Sequence, residues 1–517
     1  LEICVRRRLA VMMFLQYAVL GVWGVTLPTF LMAPPYEGGL ALSAQQVGLL
    51  FATFAIAAMS TPFVVGLLAD RFFASQRLFA ALHLLCATAT LACFVFAVRQ
   101  RDELHYQLTK TVMDEEQFGD LWRQIWERED VALFLQYPDA YDRGIVKNRN
   151  YVEDILARLG LLAHASISQR HPNVWKTTTY AKLRLAGLDQ SIDIAISDVM
   201  ATRDLHRLVN RGWEILFALM LFLAFCYMPT ITLSNAVSLR NLRHPARQYG
   251  QVRVFGTLGW MAAGIFVGVC TSPKSALPLL WGSWVALVLG LYAFSLPYTP
   301  PAHEGKTIGE LFGVPAIKMF GRRGFRAFVI TSFVITLVTT FHNTYLNRYL
   351  VDLGVPNAAA WQTTGQLTEI ICILAIPWMR FRIGLKHTLL IGLAASVARF
   401  ALYTLGNVPW MIAVGIPFQG VCYGFYFIAA MLFIDKHAPR DLRASAQGLL
   451  AICTSGVGAF AGNWVAGVAV DGYRTPAGVA WPAVWALPTI GSLAAMLYFA
   501  WQFREPVPEI EPALVPA

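Results

Sequence analysis

Charge is scarce in this sequence. Only 14% of its 517 side chains are Asp, Glu, Lys or Arg, against 56% that are apolar, and the mean hydropathy is +0.52. Soluble domains carry about 25% charge. The deficit excludes a soluble globular chain and a disordered one, so this chain needs lipid as part of its solvent. Cysteine is scarce too. The eight, Cys4, Cys86, Cys93, Cys226, Cys270, Cys372, Cys422 and Cys453, all lie in or beside apolar runs. None falls between 99 and 212, so no disulfide framework holds that polar stretch. Chemistry-bearing motifs are missing as well: there is no His/Cys metal-ligand spacing, no Gly-rich loop ahead of Lys-Ser/Thr and no Ser-centred nucleophile elbow. A metal, a cofactor and an enzymatic reaction are therefore not expected.

What the sequence does have is runs of about 20 nearly uncharged residues, the length of one bilayer crossing. Twelve can be drawn: roughly 9–32, 45–69, 77–98, 213–237, 251–271, 276–297, 324–347, 359–379, 387–406, 409–434, 444–470 and 480–503. The first follows Arg6, Arg7 and Arg8. It is too long for a signal core and lacks a small-residue cleavage pattern, so it reads as a retained helix.

The formal charge of +10 would suggest nucleic acid in a soluble domain. Here it is dispersed. With both ends cytoplasmic, seven cytoplasmic segments share 21 Lys and Arg, while the short outer loops hold three, Lys274, Arg348 and Arg474. That bias predicts a multi-pass membrane protein with both termini in the cytoplasm, and it excludes nucleic acid as a partner. Residues 99–212 differ, with 16 basic and 17 acidic side chains. Phe118, Leu121, Trp122, Ile125 and Trp126, and then Tyr151, Val152, Ile155, Leu156 and Leu159, recur at helical spacing and predict an amphipathic, mostly helical domain outside the membrane.

The expected architecture is an all-α membrane protein. Twelve transmembrane helices form two six-helix bundles, with a helical extracytoplasmic insert between helices 3 and 4. Residues 1–98 supply helices 1–3, 99–212 the insert, 213–297 helices 4–6, 298–323 a cytoplasmic linker containing Pro300 and Pro301, and 324–517 helices 7–12.

Polar side chains inside hydrocarbon are costly and usually face the bundle interior or a water-filled cavity. Their spacing here is helical. Arg253, Thr257 and Trp260 stand at i, i+4 and i+7 on the fifth span. Gln366 and Glu369 stand at i and i+3 on the eighth, Thr336, Thr339 and Asn343 line the seventh, and Gln419 and Tyr423 the tenth. Four helices thus offer polar faces to one interior. Each has a blander reading: Thr and Tyr commonly bond their own backbone, and Gln often glues helices together. Glu369, set among Leu367, Ile370, Ile371 and Ile373, is the candidate proton carrier, because desolvation penalises its charged form. Arg253 is its natural counter-charge, unless it snorkels to the cytoplasmic surface. Arg399 reads as a snorkelling or interface residue, and His83 and His342 as core or cavity groups. Gly458 with Gly462, Gly21 with Gly24, and Gly256 with Gly259 read as helix-packing contacts. Pro28, Pro62, Pro229, Pro377 and Pro417 read as kinks.

Gly66, Asp70 and Arg71, in the loop after the second span, resemble the Gly-x-x-x-Asp-Arg conformational-switch signature of the major facilitator superfamily. Longer runs resemble one branch, the nucleoside:proton symporter family of bacterial nucleoside permeases: Phe14-Leu15-Gln16-Tyr17 with Gly21 and Trp23; Tyr227-Met228-Pro229-Thr230 with Asn235; and Val252 through Trp260. Gln366-Leu367-Thr368-Glu369, Ala398-Arg399-Phe400-Ala401-Leu402 and Arg443 through Gly448 complete the similarity, which spans essentially the whole membrane portion. The resemblance implies a secondary transporter, acting as a monomer, that moves nucleosides with protons by alternating access. Arg253, Thr257, Trp260, Gln366 and Glu369 then correspond to positions lining the nucleoside site. Thr336 and Thr339 stand where relatives tend to show longer amides. Gly424, in Cys422-Tyr423-Gly424-Phe425, stands where the family usually carries an Asp associated with proton coupling. Residues 99–212 have no counterpart in the best-known members. Two rivals follow: a uniporter or carrier of another polar metabolite such as a sugar, motivated by Gly424, and a non-transporting receptor displaying residues 99–212.

Overall fold

The computed structural model of the chain describes residues 2–64, 72–112, 203–301, 314–406, 414–439, 442–475 and 478–503. Gly66, Asp70 and Arg71 lie outside the described residues, as do the amphipathic helices expected between 113 and 202. Among the described residues the regular structure is helical, apart from a two-residue hairpin that pairs Arg474–Thr475 with Gly478–Val479.

In chain order the helices are α1 (Glu2–Trp23), α2 (Leu27–Met32), α3 (Ala44–Val64), α4 (Ser75–Val112), α5 (Arg203–Asn241), α6 (Pro245–Cys270) and α7 (Leu277–Tyr292). After them come α8 (Arg323–Asp352), α9 (Ala358–Leu405), α10 (Phe418–Cys422), α11 (Ala429–His437), α12 (Arg443–Ala451), α13 (Ala459–Gly472) and α14 (Trp481–Gln502). Single π-helical stretches, Tyr423–Ile428 and Ile452–Gly458, join α10 to α11 and α12 to α13.

The chain forms two compact units. Residues 33–42 and 96–215 make the smaller. In it the end of α4 meets the start of α5: Leu104, Leu205 and Val209 are buried, and Gln100 Nε2 donates to the Leu208 carbonyl at 3.0 Å. The larger unit holds residues 1–32, 43–95 and 216–517.

Among the described residues, ten helical stretches are long and apolar enough to cross a membrane. They correspond to ten of the twelve predicted runs. The eighth run is the first half of α9, where Gln362, Thr363, Thr364, Gln366, Thr368 and Glu369 dilute the apolar character. The tenth is the shorter apolar stretch Phe418–Ile434. The eighth and ninth runs abut without a loop: the turn between them is made at Gly384, whose φ of +79° is a backbone region that side chains avoid.

Most of the predicted packing glycines do pack, Gly24 excepted, since a Cβ there would meet only Leu20 one turn back in its own segment. A Cβ on Gly21 would lie 3.1 Å from that of Ala263, and one on Gly259 would strike the Phe14 carbonyl, so α1 and α6 touch backbone to backbone. Gly462 likewise meets Leu337 and Thr340 of α8. Pro229 lies inside α5, and Pro417 stands at the start of α10. Between the two halves of the larger unit, one end is tied by hydrogen bonds. Tyr345 Oη donates to the Ala44 carbonyl at 2.7 Å, Asn347 Nδ2 donates to Thr29 Oγ1 at 2.8 Å, and Asp471 accepts from the backbone N–H groups of Ala44 and Gln45.

Of the two readings of Arg399, the snorkelling one is corrected. Arg399 does not snorkel: it is fully buried in the second half of α9, with its guanidinium 4.3 Å from the Phe400 ring centre and within electrostatic reach of His342 on α8. None of its side chain is exposed, so the guanidinium does not reach water. Nη2 approaches Ser396 Oγ at 3.5 Å, while Nε and Nη1 have no hydrogen-bond partner. His342 and His83 are buried core groups, bonded to Tyr403 Oη at 3.3 Å and to the Phe79 carbonyl at 3.1 Å.

Candidate functional site

α6 carries Arg253, Thr257 and Trp260 along one face, as their spacing predicts. The partner of Arg253 comes from α1: its guanidinium carbon sits 4.1 Å from the centre of the Tyr17 ring. Among the described residues Arg253 makes no ion pair within 4 Å and no side-chain hydrogen bond. The ring is held in place from behind. Tyr227 Oη donates to the Gln16 carbonyl at 2.9 Å, and Gln16 Nε2 donates to Thr230 Oγ1 at 2.9 Å, so α5 fastens α1 one residue before Tyr17. Space for it comes from Gly256, where a Cβ would lie 2.6 Å from the Tyr17 ring and 2.8 Å from Arg253 Nη1.

The opposite wall is α9 with α10. Gly420 lies against the Glu369 backbone N and the Gly365 carbonyl, so these helices also meet backbone to backbone. This close seam presents Gln366 and Glu369 beside Gln419 and Tyr423. Glu369 and Gln366 are half-buried, Gln419 is buried, and Tyr423 keeps 37% of its surface exposed. The side-chain oxygens of Gln366 and Gln419 are both buried without a hydrogen-bond partner. An unsatisfied buried acceptor costs about 1–3 kcal/mol, so two of them on adjoining helices mark a place where a donor-bearing molecule is favoured. Arg253, Glu369, Tyr17 and Tyr423 all lie within electrostatic reach of one another. Four helices thus converge on one cation, one carboxylate and two phenols.

Other expected members are placed differently. Thr336 Oγ1 donates to the Ser332 carbonyl at 2.8 Å, and Thr339 Oγ1 to the Ile335 carbonyl at 2.7 Å, so both hydroxyl protons are spent inside α8 and only acceptor capacity remains. Thr339 and Thr257 are buried, Trp260 is half-buried, and Asn343 is exposed. Gly424 is a packing position: a Cβ there would lie 2.6 Å from Cys372 Cβ, which leaves no room for an acid in this arrangement. The residue that spacing missed is Tyr17. In an apolar first helix a lone Tyr reads as core, and only its position under Arg253 distinguishes it.

A family model described as Nucleoside H+ symporter matches residues 3–103 and 205–507. The chain belongs to the nucleoside H+ symporter family. As a member it is a multi-pass membrane transporter of nucleosides and not an enzyme, and symport with protons fits the family. The family match passes over residues 104–204. Among curated relatives, the chain is 32% identical over 313 residues to the putative nucleoside transporter YegT of Escherichia coli, covering 57% of this chain and 74% of that one. It is 27% identical over 308 residues to the nucleoside permease NupG of the same organism, covering 56% and 73%. The crystal structure of the nucleoside transporter NupG superposes with a TM-score of 0.67 at 20% identity, over 97% of this chain and 99% of that one. The likeness establishes the major facilitator fold.

Proposed function

We propose that the nucleoside sits between Arg253, Thr257 and Trp260 of α6, Gln366 and Glu369 of α9, and Gln419 and Tyr423 of the α10 segment, with Thr336 and Thr339 of α8 offering acceptors. The carrying observation is the pair of partnerless buried amide oxygens, Gln366 and Gln419, beside a carboxylate and a guanidinium that are not paired with each other. Ribose hydroxyls and base N–H groups supply the donors those oxygens lack. Base carbonyls suit Arg253, and a flat base suits the faces of Trp260 and Tyr423.

Glu369 carries the coupled proton. A carboxylate couples a gradient to transport only if its surroundings differ between the two access states, and Arg253, on the opposite half of the larger unit, is the charge whose distance changes as the halves rock. Twelve crossings, with both termini cytoplasmic in a bacterial inner membrane, put the ties among Ala44, Tyr345, Asn347 and Asp471 at the outer end, so the present arrangement is closed to the outside. Gly66, Asp70 and Arg71 then serve as the conformational switch on the cytoplasmic side. The working unit is the monomer.

The test is uptake of labelled uridine or adenosine into proteoliposomes with and without an inward proton gradient. Gradient-dependent accumulation is expected. Equal rates would leave a uniporter, and uptake of sugars in place of every nucleoside would move the substrate to the rival class. A variant lacking residues 113–202 should keep uptake; a receptor would show none in either form.

A further inference from the structure

We propose that Tyr17 is the positioning residue for Arg253: its ring holds the guanidinium flat and apart from Glu369, so that the N–H groups at the guanidinium rim stay available to the nucleoside. The proposal rests on the site described above. A guanidinium and a carboxylate within reach of each other in a poorly polarisable interior attract strongly, and a two-bond pair would consume the donors of one and the acceptors of the other. Among the described residues no such pair forms between Arg253 and Glu369. What Arg253 has in its place is the face of an aromatic ring at 4.1 Å. Cation–π attraction engages the flat face of a guanidinium and leaves its edge free, which is the geometry a donor array for hydroxyls and carbonyls requires.

Three independent features fix the ring there. The two hydrogen bonds between α5 and Gln16 set the height and rotation of α1 at the preceding residue. Gly256, one turn along from Arg253, leaves the berth that both the ring and Nη1 occupy. Gly21 and Gly259 bring the two backbones close enough for a Tyr to span the gap. Tyr17 also lies within electrostatic reach of Glu369. The ring carries the role and the hydroxyl does not, which makes Phe the conservative replacement.

Uridine affinity of the purified full-length protein, by isothermal titration calorimetry, tests this alongside the thermal midpoint of the unliganded protein. Tyr17→Leu and Tyr17→Met are expected to raise Kd about tenfold, the scale of one charge-assisted hydrogen bond, with the unliganded midpoint unchanged. Tyr17→Phe should stay within about twofold of the parent. Gly256→Ala, which keeps the ring but crowds its berth, should weaken binding in the same sense. The Tyr17→Leu effect should shrink in a Glu369→Gln background, where the guanidinium has no carboxylate to collapse onto. An undiminished effect there, a Phe variant as weak as Leu, or Leu and Met variants binding like the parent would each overturn the proposal. Arg253→Gln run in parallel separates the levels. If it weakens binding while Tyr17→Leu does not, the Tyr17 proposal alone fails; if neither does, the assignment of the site fails and takes this one with it.

Discussion

The carboxylate of Asp471 caps the helix that begins at Ala44. Its two oxygens accept from the backbone N–H of Ala44 at 2.9 Å and of Gln45 at 2.7 Å, so the last turn of α13 is bound to the first turn of α3, in the opposite half of the larger unit. The N–H groups of a first helical turn have no partner within their own helix, and a carboxylate there also meets the positive end of the helix dipole. Arg474, 3.6 Å away, balances the charge. A side-chain cap of this kind contributes about 1 kcal/mol.

Removing that cap should therefore favour the opposite access state. Asp471→Ala is expected to lower the closed-to-open ratio at this end about fivefold, the equivalent of ~1 kcal/mol. Spin labels at Gln46 and Tyr473 would report it as a longer-distance population in pulsed dipolar spectroscopy. An unchanged distance distribution would show that the cap has no part in holding the end shut.

Glu369→Gln keeps the shape and hydrogen-bonding reach of the side chain but cannot release a proton. Accumulation of nucleoside against its gradient should vanish while exchange of internal for external nucleoside continues. Proteoliposomes preloaded with unlabelled uridine measure both, and persistent accumulation would assign the proton to another group.

Arg399 presents the reverse of a stabilising salt bridge: a buried cation whose Nε and Nη1 have no partner. Replacing such a group by an apolar side chain of similar length is expected to be neutral or to stabilise by about 1–3 kcal/mol. Thermal or denaturant unfolding of Arg399→Met in detergent checks the sign. A clearly lower stability would mean that the guanidinium is compensated.

Gly424→Asp, which would install the acid usual in the family, should cost about 1–3 kcal/mol through overpacking against Cys372. Cys372→Gly should recover most of it, because the clash is with that Cβ at 2.6 Å. A double-mutant cycle on unfolding midpoints gives the coupling; additive effects would mean that the strain lies elsewhere.

Much of the molecule is legible before any coordinates. Long uncharged runs locate the helices because lipid tolerates little else, and the 3.6-residue period places Arg253, Thr257 and Trp260 on one face and Gln366 with Glu369 on another. Even the failure of the eighth run to qualify as a fully apolar span is instructive, since the Gln, Thr and Glu side chains that weaken it include the candidate ligand-binding groups. Gly21, Gly256, Gly259 and Gly462 were readable as packing positions because small residues in membrane helices serve close approach.

Composition and periodicity, then, were enough for the membrane setting, the helices and which side chains share a stripe, because those follow from local geometry and from the cost of polarity in hydrocarbon. They could not settle which stripe meets which. That Arg253 rests on Tyr17 and not on Glu369, that Thr336 and Thr339 spend their protons on their own helix, that Arg399 is sealed inside a bundle and that Gly424 has no room for an acid all depend on distances between helices far apart in the chain. Such distances are set by how complete surfaces pack together, and no single segment encodes them.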